Sequence, residues 1–355
     1  MDGILIVGYG GPEKLSQVEP FMESLTGRPS TPEMLQKITA RYELIGGGSP
    51  LVPIAREIAE ALESQLDSVP VELGMLHSEP SIEDGFARLI ETGVDRVVCI
   101  SLSPFYSTAS NGRSYAAIGE IAPLYPHTEV LIASELGQFA GFALAHAHAL
   151  TEAFDAADVA SDDVALAFTA HSVPMSDVEA GDYVYANGLE RVADALVEAL
   201  YLSPATPEGY PVGEEASAHG TTALPRPWAN VYHSQGMRGG AWLGPSLPDF
   251  IRTAHAHGAG AIVVCPLGFA TDHLETRYDL DIAAKALADE LDIAFVRSAA
   301  PNTSPHLIDA FVAAYADAIG ADAADVVVAP GIDIDEDDAS DIGRTGGVYV
   351  PEGLD

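Results

Sequence analysis

The sequence is poor in positive charge. Lysine and arginine together supply 16 of its 355 residues, against 53 aspartates and glutamates, so the formal net charge is −37. Such a chain would repel a phosphate backbone, which argues against nucleic-acid binding. The acid excess instead predicts a solvated surface suited to a salty cytoplasm, where ions screen the self-repulsion.

Cysteine is equally scarce. The two cysteines, Cys99 and Cys265, each lie within an apolar run and do not form a CxxC pair. Two cysteines alone cannot assemble a zinc site or an iron–sulfur cluster. We therefore predict no iron–sulfur cluster, and both side chains are interpreted as small buried hydrophobes.

Long apolar runs are absent as well. No stretch approaches the roughly 20 residues that span a bilayer, and Met1-Asp2-Gly3 lacks the basic start of a secretory signal. A cytoplasmic protein without a transmembrane segment is expected. The hydrophobic content of 48% still provides a substantial core, and the length suits one large or two medium α/β domains.

Nucleotide-binding fingerprints are also missing. Gly8, Gly10 and Gly11 follow the first apolar run, but Glu13 occupies the position of the third glycine in GxGxxG, and no Walker lysine follows. The glycine-rich "ELIGGGSPL" at 43–51 predicts a turn before a helix. Such a turn allows close backbone approach to a ligand, although a purely structural turn has the same sequence.

Strand and helix patterns alternate along the chain. Strands separated by helices of this length predict parallel sheets with helices on both faces. The predicted strands are Gly3–Gly8, Val71–Leu76, Val97–Pro104, Val130–Ser134, Val164–Ala170, Ala229–His233, Ala261–Leu267 and Ala294–Val296. The predicted helices are Leu51–Leu66, Ile82–Thr92, Ala186–Tyr201, Leu247–His257, Asp279–Leu291 and Pro305–Ile319.

The two halves of the chain resemble each other. "RVVCISLSPFYS" at 96–107 parallels "IVVCPLGFATD" at 262–272, and "GMLHSEP" at 74–80 parallels "NVYHSQG" at 230–236. We predict an α/β fold of two similar, Rossmann-like, doubly wound lobes, residues 1–155 and 156–320, with the active-site cleft between them. Residues 203–228 are interpreted as a loop insertion in the second lobe and 321–355 as a flexible acidic tail.

One histidine is placed for chemistry. The strand "ALAFTAH" ends in His171, and Pro174 prevents it from simply continuing. At the carboxyl end of a parallel strand, His171 would face the cleft, where its ring can exchange protons near neutral pH. A catalytic or metal-binding role and a satisfied structural histidine both remain open from the residues alone.

A run of acids follows another strand. In "PLGFATDHLETRYDLD", helical spacing would put Asp272, Glu275 and Asp279 on one face at i, i+3 and i+7. Like charges so arranged repel, which favours a path for a cation. In so acidic a chain, a solvated helix face is the alternative, and the position directly after a core strand favours the cleft mouth.

Four motifs in order resemble the ferrochelatase family: "RYELIGGGSPL", "FTAHSVP…EAGDYVY", "SQG…WLGP" and "PLGFATDHLETRYDLD". The match covers about residues 3–319. The resemblance implies insertion of Fe²⁺ into a porphyrin, with iron as a substrate and no prosthetic group. It also implies that His171 and Glu275 are catalytic and bind the metal, and that the acids after Glu275, including Asp279, form a wall guiding the ion. With Asp272 from the acidic stripe, the predicted metal-binding residues are His171, Glu275, Asp279 and Asp272.

The resemblance also implies a porphyrin-binding set. Tyr9 resembles the coproporphyrin-using branch, where this phenol contacts iron from the face opposite the histidine; a tyrosine hydrogen-bonded at the cleft floor is the alternative. That branch carries a further arginine at the position of Leu25 or Thr26, which this chain lacks, although Arg28 is near. The remaining residues of the implied set are Arg41, Tyr42, Ser49, Tyr115 and Trp242.

Other functions stay open at this point. A protoporphyrin IX ferrochelatase is one alternative. A cobalt chelatase for a sirohydrochlorin-type ring is a second, for which His77, His233 and His273 supply additional imidazoles. A non-catalytic porphyrin or haem binder is a third. A periplasmic-type binding protein is disfavoured because no signal peptide is evident.

Overall fold

The structure is a computed structural model that describes residues 1–66, 69–157, 163–178, 181, 183–200, 228–235 and 240–323. Most of the predicted insertion at 203–228 and nearly all of the predicted acidic tail at 321–355 lie outside the described residues.

Two four-stranded parallel sheets form the framework. The strands are β1 (Asp2–Gly8), β2 (Val71–Met75), β3 (Arg96–Ser101), β4 (Glu129–Ile132), β5 (Val164–His171), β6 (Trp228–His233), β7 (Ala261–Cys265) and β8 (Ala294–Arg297). Their orders are β2-β1-β3-β4 and β6-β5-β7-β8, so both sheets have the same topology. The prediction of two similar α/β lobes is confirmed.

Helices cover the faces of the sheets. They are α1 (Val18–Thr26), α2 (Pro32–Leu44), α3 (Leu51–Gln65), α4 (Ile82–Glu91), α5 (Arg113–Ile121), α6 (Ala140–Ala156), α7 (Met175–Asp177), α8 (Tyr183–Ala199), α9 (Leu247–Ala256), α10 (Lys285–Glu290) and α11 (Pro305–Ile319). The ends follow local chemistry. The Ser81 and Ser246 hydroxyls accept N–H bonds at the starts of α4 and α9, and Gly320 ends α11 in the left-handed region.

The central strands are buried on both faces, which is why their sequences are continuous apolar runs. Every residue of β7 is buried, as are all residues of β5 before His171. Cys99 and Cys265 lie inside β3 and β7 as free, fully buried thiols. Burial raises the pKa of each thiol to about 12. Both are therefore inert side chains of the core, as predicted.

One hydrophobic cluster runs through both lobes because two helices are exchanged between them. Helix α6, from the first half of the chain, packs against β7 and β8, while α11, from the second half, packs against α3, β3 and β4. Tyr315 of α11 donates a hydrogen bond to Asp2 at 2.9 Å. Gln65 of α3 donates one to Asp309 at 3.4 Å. The lobes are therefore joined by helices as well as by the linker.

The helix after β7 differs from the predicted Asp279–Leu291. Helical backbone begins at Leu274, runs as a π-helix over Thr276–Ala284 and continues as α10. Wide π-turns are rare and are frequently found at functional sites. Asp272 precedes the first helical residue, so the regular stripe of three acids at α-helical spacing is not formed.

Candidate active site

The carboxyl ends of four strands meet at a common edge between the lobes. Tyr9 follows β1, and His77 follows β2. In the second lobe His171 ends β5 beside its register partner His233, the last residue of β6. Parallel neighbouring strands lie roughly 4.8 Å apart, so the two imidazole-bearing residues are adjacent across the sheet.

His171 is held by the backbone. Its Nδ1 lies 2.6 Å from the carbonyl oxygen of Ser172. Because a carbonyl only accepts, Nδ1 carries the hydrogen and the lone pair of the neutral ring is on Nε2. The hydroxyl of Tyr185 donates to the His171 carbonyl at 3.1 Å and fixes the strand end further. The residue is partly exposed, so Nε2 is free to take a proton or a metal ion.

Glu275 lies in the helical segment that follows β7. Its carboxylate lies 3.2 Å from Nε2 of His273, and its side chain is 30% exposed. Both Glu275 and His171 lie close enough to His233 for their charges to act on the pKa of its ring. His171 and Glu275, from separate segments, therefore both lie within electrostatic range of the His233 ring.

Asp279 lies four residues further along the π-helix. It accepts a hydrogen bond from the Ser234 hydroxyl and lies 3.7 Å from Nδ1 of His233. Burial alone would raise its pKa. The nearby His233 side chain, the hydrogen bond from Ser234 and the charge of Arg41 outweigh that effect and hold the pKa below its usual value. Asp279 is therefore ionised at neutral pH.

The structure does not bring Asp272 into this group. Its carboxylate is almost completely buried and pairs with Arg277 at 2.9 Å and Arg297 at 3.3 Å. It also accepts hydrogen bonds from Thr276 at 2.8 Å and Asn302 at 3.2 Å. With its oxygens so engaged, Asp272 anchors the start of the helix and does not join Glu275 and Asp279.

Two residues of the implied porphyrin-binding set lie on α2 and face the π-helix. The Arg41 guanidinium stacks on the Tyr278 ring at 4.8 Å. Tyr42 is buried among Val18, Phe21 and Met22. Burial raises the pKa of its phenol, and the nearby Glu275 charge raises it further. Helix α2 of the first lobe therefore meets the carboxylates of the second.

The Tyr9 phenol oxygen accepts a hydrogen bond from the Arg113 side chain at 3.4 Å. Its ring meets His77 edge-on, with centroids 4.8 Å apart. Arg113 received no role from sequence, and only the rarity of arginine in so acidic a chain could have indicated one. A cation thus stands at this edge beside the phenol.

The remaining residues of the implied set are more scattered. Ser49 is buried and lines a cavity of about 290 Å³ with Glu13 and Arg277. Trp242 is half-buried, and its backbone bridges to Pro174 in the loop after His171. The Tyr115 side chain is mostly buried, which raises the pKa of its phenol. Arg28 is exposed on the loop after α1.

The described part of the chain contains no group of three or more His, Cys, Asp or Glu side chains arranged to hold a metal ion. The carboxylates and imidazoles around His233 therefore offer at most a partial coordination shell. Within the same residues, no helix is both long and apolar enough to cross a membrane.

Solved structures share the two-lobed fold. SirB from Bacillus subtilis with Fe³⁺ superposes with a TM-score of 0.56 at 15% identity, covering 89% of this chain and 95% of that one. The sirohydrochlorin chelatase SirB from Bacillus subtilis subspecies spizizenii in complex with cobalt gives 0.51 at 13% identity, covering 90% and 96%. At these identities the likeness defines a two-lobed, chelatase-like fold.

Sequence comparison is more specific. The family model described as Ferrochelatase matches residues 1–318. A coproporphyrin III ferrochelatase of Halalkalibacterium halodurans is 32% identical over 320 residues, covering 86% of this chain and 94% of that protein. A ferrochelatase of Deinococcus radiodurans is 30% identical over 313 residues, covering 86% and 92%. The chain belongs to the ferrochelatase family and is a metal-inserting lyase.

Proposed function

We propose that this chain inserts ferrous iron into coproporphyrin III, with His171 and Glu275 as the catalytic pair. The observation that carries the proposal is geometric: His171 is the register partner of His233, and His233 lies 3.7 Å from Asp279, four residues along the same helical run from Glu275. His171 directs its Nδ1 to the Ser172 carbonyl, which leaves Nε2 as the ring nitrogen that could receive a proton or the metal ion.

The chemistry requires both groups. A free-base porphyrin must release two pyrrole protons as Fe²⁺ enters, so that a neutral macrocycle becomes the doubly deprotonated ligand of the ion. Imidazole and carboxylate can each accept a proton, and both are suitable ligands for ferrous iron. A partial protein shell suits an ion that is handed to the pyrrole nitrogens. The reaction needs no prosthetic group.

Coproporphyrin III is favoured over protoporphyrin IX by the polar groups of the first lobe. Coproporphyrin carries more propionates, and guanidinium groups suit carboxylates. Arg41, Arg113 and Tyr9 lie at this edge. Two relatives named as coproporphyrin III ferrochelatases are 32% and 30% identical to this chain. Arg28 is exposed on the loop that follows α1.

The decisive experiment offers purified protein ferrous iron with coproporphyrin III or protoporphyrin IX under anaerobic conditions and follows the visible spectrum. We expect faster metallation of coproporphyrin III. Faster turnover of protoporphyrin IX would reverse the substrate assignment. Tight porphyrin binding without metallation would identify a non-catalytic binder, and preferred insertion of Co²⁺ into sirohydrochlorin would identify the cobalt alternative.

The same proposal includes a cytoplasmic setting of high ionic strength, supported by the net charge of −37. Salt screens the repulsion between exposed carboxylates. The midpoint of thermal unfolding should therefore rise as KCl is added from dilute buffer to molar concentration. A midpoint that is independent of salt would count against this part of the proposal.

A further inference from the structure

Three side chains at the edge of the second lobe form a hydrogen-bonded chain. Nδ1 of His233 lies 2.6 Å from Oγ of Ser234, and Oγ of Ser234 is hydrogen-bonded to Oδ2 of Asp279. His233 is buried, with a side chain only 5% exposed, whereas the Asp279 side chain is 19% exposed. This series of hydrogen bonds thus runs from the buried His233 ring to the Asp279 carboxylate at the candidate active site.

The donors along this chain can be assigned from the chemistry of its members. The Ser234 hydroxyl donates its hydrogen to Oδ2 of Asp279. That uses the single hydroxyl hydrogen. The contact between Ser234 and His233 is then a hydrogen bond only if Nδ1 of His233 carries a hydrogen, which fixes the Nδ1–H tautomer and leaves the lone pair on Nε2.

The backbone supports the same arrangement. Ser234 has φ of 60°, in the left-handed region that is unfavourable for a residue with a side chain. Such conformations persist where the surroundings over-determine them. Here the hydrogen bonds of Ser234 on both sides determine its position, and that position aims its hydroxyl at Asp279.

Stability alone does not account for His233. Its Nε2 is buried and has no hydrogen-bond partner within the described residues, and an unsatisfied buried acceptor is costly. Burial lowers the pKa of the ring, although the charge of Asp279 opposes that effect. A neutral, permanently oriented donor is what this environment produces.

We propose that His233 and Ser234 are positioning residues that hold the Asp279 carboxylate beside Glu275 as a second oxygen ligand for the incoming iron. Asp279 and Glu275 are four residues apart on a helix and so share a face. Groups that orient a ligand in this way typically affect metal affinity about 10- to 100-fold. The inference rests on the proposed function, because it assumes that iron is the ion that Asp279 meets.

The test compares Ser234→Ala, His233→Leu and His233→Asn in the full chain. Ser234→Ala and His233→Leu should raise KM for Fe²⁺ by about 10-fold or more and leave KM for porphyrin unchanged. Asparagine places an amide N–H near the Nδ1 position, so His233→Asn should restore most of the iron affinity. The double variant Ser234→Ala/His233→Leu should be no worse than the more severe single variant.

Ser246→Ala is a matched control. The Ser246 hydroxyl also hydrogen-bonds to an aspartate, Asp249 at 2.7 Å, but does so at the exposed start of α9. This variant should keep the wild-type KM for iron. If Ser234→Ala and His233→Leu keep it too, or if His233→Asn is as impaired as His233→Leu, the positioning role is wrong.

A spectroscopic readout separates this inference from the proposed function. In ¹⁵N-histidine-labelled protein without metal or porphyrin, the His233 ring should show the Nδ1–H tautomer, and Asp279→Asn should shift its Nδ1 signal. An Nε2–H tautomer would overturn the inference even in an active enzyme. Absence of iron insertion by the wild type, with the Nδ1–H tautomer present, would instead overturn the proposed function.

Discussion

The two sheet edges that face each other have the same topology but opposite electrostatics. Each lobe places a histidine at the carboxyl end of its outer strand, His77 after β2 and His233 at the end of β6. In the first lobe, Nδ1 of His77 lies 3.0 Å from the Ser24 hydroxyl. Burial, with the charge of Arg113, lowers its pKa to about 4. In the second lobe, His233 is linked through Ser234 to the carboxylate of Asp279.

The difference separates two tasks by charge. Arg41 and Arg113 supply positive charge from the first lobe, which suits the anionic propionates of a porphyrin. Glu275 and Asp279 supply negative charge from the second, which suits a divalent cation. A repeated fold thus presents two dissimilar faces, and the predictions below test whether that division holds.

Removal of the His171 imidazole from the second lobe should have the largest effect. His171→Ala should reduce iron insertion by about 100- to 10,000-fold, the range for loss of a general base, while far-ultraviolet circular dichroism and the melting temperature stay near wild type. His255→Ala, which removes an exposed histidine of α9, is the matched control. Near-normal turnover of His171→Ala would break the proposed division at its centre.

Neutralisation of the second lobe's carboxylate should have the next largest effect. Glu275→Gln keeps the size of the side chain but removes a proton acceptor and an anionic metal ligand, so we expect insertion to slow by about 100-fold. Porphyrin binding, measured by fluorescence quenching, should persist. Glu290→Gln at the exposed end of α10 serves as control, and equal kinetics in both variants would refute a catalytic Glu275.

A change in the first lobe should affect the other substrate. Arg41→Ala should weaken porphyrin binding by about 10-fold, consistent with loss of a charge-assisted hydrogen bond, and should change KM for iron less. Arg252→Ala is the control, because it removes an exposed arginine of α9 that pairs with Asp249 at 3.3 Å. If Arg41→Ala raises KM for iron more than KM for porphyrin, the division by charge fails.

The smallest predicted effect concerns stability and pH. The pKa of His77 falls from its ordinary value of 6.5 to about 4 in the folded protein. Between these values the unfolded chain binds more protons, so this group's contribution to stability decreases as pH falls. His77→Gln should therefore flatten the decline of the urea midpoint between pH 6.5 and 4. Parallel profiles for wild type and variant would contradict it.

The framework of the site was predictable because its signals are local. Runs of apolar residues predict β1, β5 and β7. A polar residue at the end of such a run, as at His171, must lie at the carboxyl edge of the sheet. Helices α1, α2, α5, α6 and α7 were not predicted. Of these, α6 contains "AGFALAHAHALTEAF", which is rich in alanine and lacks the division into one apolar and one polar face that marks a surface helix.

Long-range contacts explain the rest. The predicted acid stripe assumed α-helical spacing from Asp272, whereas Arg297, distant in sequence on β8, pairs with that carboxylate and holds it away from Glu275. Ser234 begins the "SQG…WLGP" motif, but its left-handed backbone was not predictable, because serine does not usually adopt a positive φ. Nor could the sequence show that α11 packs on the first sheet, since that contact joins segments far apart in the chain.

The exchange of α6 and α11 has a consequence for biosynthesis. Helix α11 contacts β3 and β4 of the first sheet, although it follows the last strand of the second sheet in the chain. On a ribosome, the first lobe therefore emerges without one of its covering layers and remains open along one sheet face until residues 305–319 have left the exit tunnel. The packing of the first lobe is therefore completed only after the strands of the second lobe have been synthesised.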